Sequence, residues 1–428
     1  MSDSSSSNAS TVIAITGVGV VSSLGLGYDA FAESLLSGQS AICRSSEIFE
    51  GTPIKWASPI EGFESKKWVK PRKSIKLMCE EIQYSVGSAE MAVQHAGLDM
   101  AGLDLSRVGV VMGSEFLYGP PEELVQTYAS AIATGNFNLK SFGDNINKLF
   151  PLWMLKFLPN MPACHIGIAQ NVIGPNNSVV NGETSCLMAL GEAISVMQRG
   201  WADVMITGSV GTELRTARVA NLAGEYYYQG DDPKMTCLPF DANRAGSAAS
   251  EAAASFVLET EAHARARGAK PLAYVRGMGR AFELLRPFER GRENAASVAA
   301  IERTIQLALK ETDCTAADID HVNANGLGMP LADRVEAQAI NNTLPATATT
   351  AIKSYFGNAG AGSASLELAA SIVAFDKGTV PATVNYETPD PECPVNVISS
   401  PKAVEKNLAM VLNQSLCGQA AAVVIEKP

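Results

Sequence analysis

The chain has 428 residues, more than one ordinary single-core domain contains, so its length predicts two or three core-forming units or one large intertwined unit. Hydrophobic residues make up 46% of the sequence and charged residues 18%, a balance that excludes a disordered chain. The formal net charge of −11 argues against nucleic acid as the main partner, because phosphate binding needs cationic surface.

The N-terminus, MSDSSSSNAS, is acidic and Ser-rich and has no apolar core, so we expect residues 1–10 to be a short disordered lead. No run of about 18 apolar residues occurs, and no membrane span is therefore predicted. The eight cysteines show neither a C-x-x-C pair nor a Cys/His cluster at metal-ligand spacing. This pattern predicts no metal site and favours a reducing cytoplasm.

The first ordered segment begins at Thr11 and reads TVIAITGVGVVSSLG. Its β-branched run followed by glycines predicts a buried strand entering a turn, with a helix from about Tyr28. Gly17 and Gly19 invite comparison with the dinucleotide-binding fingerprint G-x-G-x-x-G. The third glycine position is Ser22, so the spacing excludes that motif.

Helix and strand patterns alternate along the rest of the chain, which is typical of an α/β protein. The predicted elements are a helix over 73–95, a strand over 108–112, a helix over 187–199 and a strand over 203–207. After Glu261 a helix gives way to a Gly-punctuated strand, and a second series runs to a terminal strand over 420–425. We predict two halves, residues 11–260 and 261–428, without an obvious sequence repeat between them.

Four segments carry a resemblance to a known family. They are ITGVGVVSSLG near the N-terminus, LPFDANRAG at 238–246, NANGLGMPLADRVEA at 323–337 and KSYFGNAGAGSASLE at 353–367. In this order and spacing they resemble the β-ketoacyl-[acyl carrier protein] synthases, the condensing enzymes of fatty acid and polyketide synthesis. The resemblance implies the thiolase fold, a five-layer αβαβα architecture built from two similar α/β halves and usually dimeric.

The nucleophile of that family is a cysteine at a helix N-terminus, where the helix dipole and nearby amides lower the pKa of the thiol. Here GPNNSVVNGETSCLMALGEA aligns without gaps from Gly174, and the nucleophile position falls on Glu183. A carboxylate cannot accept an acyl chain as a stable thioester. Cys186 reaches the position only through a three-residue insertion, so we interpret it as a small buried helix residue.

Both histidine positions of the family, which assist decarboxylation, are asparagine in this sequence. The motif His-Gly-Thr-x-Thr-Pro is written Asn-Gly-Leu-Gly-Met-Pro over 325–330, so the first histidine position is Asn325. Leu327 and Met329 replace two threonines that bind the phosphopantetheine arm in the family. The second position, after Lys-Ser-x-x-Gly, is Asn358. The sequence thus retains the glycine and proline positions of these motifs, while the histidines and threonines that act on or bind the substrate are replaced.

Several further positions follow from the resemblance. Lys353 and Glu367 are kept, and we expect Lys353 to pair with Glu183 or Glu367 in a polar cluster that closes a vestigial cavity. Glu183 is also placed to plug the oxyanion hole. A late family segment appears as NQSLCGQ, which puts Cys417 at the position of the gating phenylalanine and Gly418 after it. We therefore expect an altered oxyanion loop.

These losses predict a non-condensing homologue that resembles the chain-length factor, a silent subunit paired with an active ketosynthase. We expect a heterodimer with that ketosynthase, or a homodimer. No cofactor of its own is predicted, because the phosphopantetheine would be delivered by acyl carrier protein to the partner. One alternative is a malonyl-[acyl carrier protein] decarboxylase, and another is a β-ketoacyl synthase with an unusual active site that uses Cys186.

Two surface features complete the sequence-based expectations. A basic cluster stands out in the acidic chain and is predicted to dock acidic acyl carrier protein, as the same region does in the family. Its members are Lys66, Lys67, Lys70, Arg72, Lys73 and Lys76. The apolar stretch over 150–161 is more typical of core than of a tunnel or partner interface.

Overall fold

The computed structural model describes residues 11–45, 52, 54–133, 135–219, 226–287 and 293–428. The predicted N-terminal lead, residues 1–10, lies outside the described residues. The strands of the described ranges are β1 (Ile13–Ser22), β2 (Gly25–Leu26), β3 (Cys43–Arg44), β4 (Trp56–Ser58), β5 (Val108–Ser114), β6 (Asn176–Val180), β7 (Val204–Thr212), β8 (Ala249–Thr260), β9 (Ala273–Phe282), β10 (Ile319–Asn323), β11 (Ala348–Thr350), β12 (Thr379–Val380), β13 (Asn396–Val397), β14 (Lys402–Ala403), β15 (Leu408–Gln414) and β16 (Gln419–Glu426).

The helices lie between these strands, and short 3-10 turns join several of them. They are α1 (Tyr28–Ser37), α2 (Ser65–Trp68), α3 (Glu80–His95), α4 (Val125–Ala131), α5 (Leu139–Asp144), α6 (Met161–Gln170), α7 (Ser185–Gln198), α8 (Thr216–Val219), α9 (Glu261–Ala266), α10 (Val298–Thr312), α11 (Pro330–Thr343), α12 (Lys353–Phe356) and α13 (Ser363–Lys377).

The two halves of the chain use the same strand pairing. In the first half β1 and β8 are antiparallel, as are β8 and β7, and β5 then adds in parallel to β7 and β6 to β5. In the second half β9, β16 and β15 are antiparallel in turn, and β10, β11 and β13 continue in parallel. The halves join where β1 pairs with β9. The duplication is therefore structural, as the sequence predicts.

The helices form three layers around the two halves of the sheet. α3 packs on β1 and β8, and α10 packs on β9 and β16, so these two helices cover the outer faces. α7 and α13 contact each other and strands of both halves, which places them in the central layer. Ser363–Phe375 of α13 is buried throughout. The predicted five-layer αβαβα arrangement is confirmed.

Glycines on the two equivalent strands let the outer helices approach closely. A β-carbon on Gly19 of β1 would lie 2.0 Å from the carbonyl oxygen of Ser88 in α3. A β-carbon on Gly279 of β9 would lie 1.8 Å from the carbonyl oxygen of Thr304 in α10. The glycine pattern that resembles a dinucleotide fingerprint is thus a packing feature.

One expectation about local structure is wrong, and a second is correct only in part. The helix predicted over 73–95 is split, because Met78 and Cys79 are extended between a 3-10 turn and α3, and Met78 is buried in the cluster under that helix. In the stretch 150–161, Phe157 and Met161 pack against the same cluster. Phe150 and Met154, in contrast, are 49% and 64% exposed.

The described part of the chain can be searched for membrane-spanning helices, metal-ligand groups and disulfide bonds. No helix there is long and apolar enough to cross a membrane. The described ranges also contain no group of His, Cys, Asp and Glu that could hold a metal ion. All eight cysteines are free thiols.

Candidate active site

Glu183 lies at the N-terminus of α7, in the short turn Gly182–Thr184 that follows β6. Ser185 fixes this end of the helix, because its hydroxyl accepts from the Asn181 amide at 2.8 Å and donates to the Ser114 carbonyl at 2.9 Å. Glu183 is only 7% exposed. Burial raises the pKa of Glu183, and the nearby Arg218 guanidinium opposes that rise. A helix N-terminus stabilises such a carboxylate by about 0.3–1 kcal/mol.

Lys353 is the centre of a buried polar cluster. Its ammonium donates to the backbone oxygen of Asn325 at 2.8 Å, to Asn325 Oδ1 at 2.9 Å and to the Glu367 carboxylate. Asn413 Nδ2 donates to Asn325 Oδ1 and to Glu367 Oε2, each at 2.9 Å. Lys353 and Glu367 are fully buried. The ion-pair partner of Lys353 is therefore Glu367 and not Glu183.

Two acidic residues of α11 shape the loop that carries Asn325. Glu336 accepts from the amides of Asn325 at 2.8 Å and Gly326 at 2.9 Å. Asp333 accepts from Leu327 at 2.8 Å and from Gly328 at 3.1 Å. Burial raises the pKa of Glu336 to about 8 and that of Asp333 to about 6. The retained acids of the motif thus serve the backbone of the loop.

Asn358 is fixed by its backbone and by its side-chain oxygen. Its amide donates to the Ala248 carbonyl at 2.8 Å. Its Oδ1 accepts from Gly360 N at 3.2 Å and from Ser363 Oγ at 3.1 Å. Asn325 Oδ1 is likewise engaged by two donors, Lys353 and Asn413. With both Oδ1 atoms occupied, the side-chain NH₂ of each asparagine is the group that can donate a hydrogen bond to a further acceptor.

The cavity beside Asn358 is nearly closed. Its volume is about 10 Å³, and the lining residues are Glu213, Tyr226, Tyr227, Ser247, Leu327, Met329, Asn358 and Leu416. A space of that size holds at most about one water molecule. Leu327 and Met329, which stand where the family has threonines, are almost completely buried in it. The residues present do not fit the phosphopantetheine arm that the resemblance implies.

A second ionic cluster, which the sequence analysis missed, lies near Glu183. Arg218 Nη2 is 3.1 Å from Glu115 Oε2 and 2.8 Å from Glu213 Oε1, and both glutamates are buried. Burial raises the pKa of Glu115 to about 8, against the effect of Arg218. One sequence signal was available, because Glu115 and Glu213 directly follow the parallel neighbours β5 and β7. The ends of neighbouring parallel strands meet at one edge of a sheet.

The two cysteines considered for this region differ in accessibility. Cys186 in α7 is fully buried, and burial raises the pKa of its thiol to about 12. Cys417 is exposed in the turn between β15 and β16, where Gly418 adopts a φ of 94°. Partial burial raises the pKa of Cys417, and the Glu183 carboxylate adds to the rise. Neither thiol is activated as a nucleophile.

The predicted site residues are therefore brought together in part. Asn325, Lys353 and Glu367 bind one another directly. Glu183 interacts with Lys353 only through its charge, and Asn358 lies across the small cavity from the loop of Asn325. The four histidines, His95, His165, His263 and His321, are absent from the lining of that cavity.

The basic cluster forms a separate surface on α2 and the 3-10 turn after it. All six of its side chains are exposed, and none forms an ion pair with an acidic residue in the described part of the chain. Lys67 lies over the ring of Trp68 at 4.9 Å. The positive charge of the basic cluster is therefore available to an acidic partner.

Comparison with known proteins decides the family. The family model of the β-ketoacyl synthase N-terminal domain matches residues 10–264, and that of the C-terminal domain matches residues 289–387. The chain belongs to the β-ketoacyl synthase family. This membership agrees with the resemblance carried by the four sequence segments.

Relatives of this β-ketoacyl synthase homologue include a polyketide synthase subunit and a 3-oxoacyl-[acyl-carrier-protein] synthase. It is 31% identical to the tetracenomycin polyketide synthase ketoacyl synthase alpha subunit of Streptomyces glaucescens, over 97% of each chain. It is also 31% identical to a 3-oxoacyl-[acyl-carrier-protein] synthase 2 of Rhizobium meliloti, over 97% of this chain and 98% of the relative.

Solved structures of the family share the fold. The ishigamide ketosynthase/chain length factor superimposes with a TM-score of 0.84 at 23% identity, over 98% of this chain and 100% of that one. The α/β thiolase fold predicted from the sequence is confirmed.

Proposed function

We propose that this β-ketoacyl synthase homologue is a non-condensing, chain-length-factor-like subunit of a type II fatty acid or polyketide synthase, paired with an active ketosynthase in the cytoplasm. One observation carries the proposal: the three chemical positions are Glu183, Asn325 and Asn358, while the hydrogen-bonded scaffold around them is complete. Random decay of a gene would alter the residues that support the fold as well as the catalytic ones, so loss confined to the catalytic positions favours a specialised subunit.

The chemistry of condensation requires what these residues lack. A nucleophile must form an acyl thioester, and Glu183 has no thiol. Positioned acids and bases contribute about 10²- to 10⁴-fold each, and the amides of Asn325 and Asn358 do not transfer protons in that way. Cys186 offers no substitute, because its thiol is fully buried. The geometry thus argues against a condensing enzyme that uses Cys186.

An exposed apolar surface supports pairing with a chain of the same fold. Thirteen of the sixteen exposed large hydrophobic side chains in the described ranges lie between residues 116 and 180. In the same segment β6 pairs with β5 on one side and has no strand on its other side among the described residues. Ile173, 76% exposed, lies just before this edge strand. Exposed apolar area and an open strand edge together favour a protein partner.

Co-expression with the ketosynthase of the same gene neighbourhood tests this pairing. We expect a stable one-to-one complex that Ile173→Glu disrupts, since it buries a charge in the interface. Trp201→Glu is the matched control, because Trp201 is 57% exposed and lies outside the 116–180 surface. A chain that purifies only as a homodimer and ignores the ketosynthase would refute the heterodimer.

We further propose that the basic cluster docks acyl carrier protein for the complex. Its support is charge complementarity: six exposed cations without acidic partners stand in a chain of net charge −11. The nearly closed cavity implies that the acyl group is then used by the partner ketosynthase.

A second candidate function, malonyl-[acyl carrier protein] decarboxylation, is favoured by the orientation of the two asparagines. Because both Oδ1 atoms are engaged, both NH₂ groups are donors suited to an enolate oxygen. The closed cavity stands against it. Release of carbon dioxide from malonyl-carrier protein by the isolated chain, lost in Asn358→Ala, would establish this activity. Absence of release would leave the silent role.

A further inference from the structure

A polar groove lies at the seam between the two halves, apart from the candidate active site. Its volume is about 300 Å³. It is lined by the later part of α7, from Gly191 to Gln198, by β9, by the end of α10 and by residues 11–13 at the start of β1. Gly191 is eight residues beyond Glu183, which corresponds to about 12 Å along a helix. The groove is therefore a separate site.

One edge of β9 is open along this groove. β9 pairs with β16 from Tyr274 to Phe282, but it pairs with β1 only over Ala273–Val275. Beyond Val275 that edge has no strand partner among the described residues. The Met278 amide instead donates to Glu311 Oε2 at 2.6 Å. One oxygen of the exposed Glu311 carboxylate is thus bound by the backbone of β9.

Two arginines of β9 project into the groove. Arg276 Nη1 is 3.3 Å from Glu426 Oε2, whereas Arg280 forms no ion pair with any described residue. A β-carbon at Gly191 would lie only 3.3 Å from Arg280 Nη1, so the absence of a side chain at Gly191 leaves room for the guanidinium against α7. Its planar set of donors matches a carboxylate or phosphate.

A second hollow adjoins the groove and shares Arg280 with it. Its volume is about 450 Å³, and it shares Met278, Arg280 and Glu311 with the groove while adding Leu307 and Lys310. Arg280 therefore lines both hollows. The two hollows are lined by three cationic side chains, Arg276, Arg280 and Lys310, and by one carboxylate, Glu311, one oxygen of which accepts from the Met278 amide.

We propose that this groove binds a small elongated anion with two acidic groups, anchored by Arg280. Arg276 and Arg280 are four residues apart, which separates their backbones by about 10–13 Å on a strand. A ligand with anionic oxygens at both ends matches that separation. Carboxylates and phosphates share this chemistry, and the experiment below distinguishes them. The inference does not rest on the proposed chain-length-factor role.

Isothermal titration calorimetry of the full chain with pimelate and, separately, with fructose 1,6-bisphosphate, whose two phosphates are held apart by the sugar, tests the site. We expect saturable one-to-one binding of one probe, which identifies the ligand as carboxylate or phosphate. Arg280→Glu should weaken that binding at least about tenfold, because a charge-assisted contact is lost and a repulsion is added. Arg303→Glu is the control, since Arg303 is exposed on α10 outside both hollows and gives the same change in net charge.

Arg280→Gln separates the loss of the anchor from charge reversal and should also weaken binding. Saturable binding of neither probe would overturn the proposal. Equal weakening by Arg303→Glu and Arg280→Glu would overturn it too, because the attraction would then be a general effect of net charge.

Discussion

Lys353 is the central residue of the buried polar cluster at the candidate site. A fully buried ammonium is costly unless it is paired and hydrogen-bonded, and its three donors reach Asn325 twice and Glu367 once. Asn325, which the motif alignment assigns to a histidine position of the family, is in this arrangement a hydrogen-bond partner of the lysine. Under the proposed function, that position serves the scaffold and not the chemistry.

Lys353→Met should lower the free energy of unfolding by about 3–5 kcal/mol, because it leaves Glu367 buried without its cation. Urea denaturation would measure the change. Lys377→Met is the matched control, since Lys377 pairs with Asp376 at a half-exposed surface and should lose less than about 1 kcal/mol. The double variant Lys353→Met with Glu367→Leu should recover part of the loss. A small effect of Lys353→Met alone would contradict the role given to this lysine.

Glu336 predicts an unusual pH dependence of stability. Burial raises its pKa from 4.5 to about 8, so the folded chain holds a proton that the unfolded chain releases in that interval. The contribution to stability is complete below pH 4.5 and is lost as the pH rises through about 8. We expect the free energy of unfolding, measured by urea denaturation, to fall by at least about 1 kcal/mol between pH 5.5 and pH 8. In Glu336→Gln the free energy of unfolding should depend less steeply on pH.

At the scale of elements, the contact between β1 and α3 depends on Gly19. Gly19→Ala would place a β-carbon 2.0 Å from the Ser88 oxygen and 2.4 Å from the Ala92 nitrogen, both of them backbone atoms. The helix would have to shift, and we expect a loss of about 3 kcal/mol or more in thermal or urea unfolding. Gly143→Ala in α5 should be neutral or slightly stabilising, because the added β-carbon would meet no atom within 4 Å outside its own helix. An equal effect of the two variants would contradict this packing.

The sequence predicts the elements that have strong periodicity and misses those decided by tertiary packing. The strand over 108–112 and the helix over 187–199 appear as β5 and α7 with small shifts of their ends. The break at Met78 was not predictable, because burial of that side chain under α3 depends on contacts distant in sequence.

The same difference applies to the candidate site. Glu183, Asn325 and Asn358 follow from motif alignment, since local sequence fixes their positions. The pairing of Arg218 with Glu115 joins residues about a hundred positions apart, and no motif relates them. The nearly closed cavity likewise depends on how Leu416 packs beside Met329. Such contacts are determined by the fold and not by local patterns.

For the whole molecule, charge and apolar area are distributed unevenly. The acidic chain carries an exposed basic cluster on α2 and the following turn, and its exposed apolar side chains concentrate between residues 116 and 180. The first feature suits an acidic carrier protein and the second a partner chain. Both are expected of a subunit that acts within a complex.

Reversal of Lys70 and Lys73 to glutamate should weaken association of the complex with acyl carrier protein, with a loss that diminishes as salt rises. Surface plasmon resonance at two ionic strengths would measure it. Lys270→Glu with Arg303→Glu provides a control with the same change in charge, because both side chains are exposed and lie outside the basic cluster. An affinity unchanged by the reversal at Lys70 and Lys73 would remove the docking role.

The most direct test measures β-ketoacyl product from acyl- and malonyl-carrier protein with three samples: this chain alone, the neighbouring ketosynthase alone, and the two co-expressed. The proposed role predicts no product and no acyl adduct on this chain alone, and product from the pair whose amount or chain length depends on this chain. Product from the isolated chain, or identical product from the ketosynthase with and without it, would contradict the account.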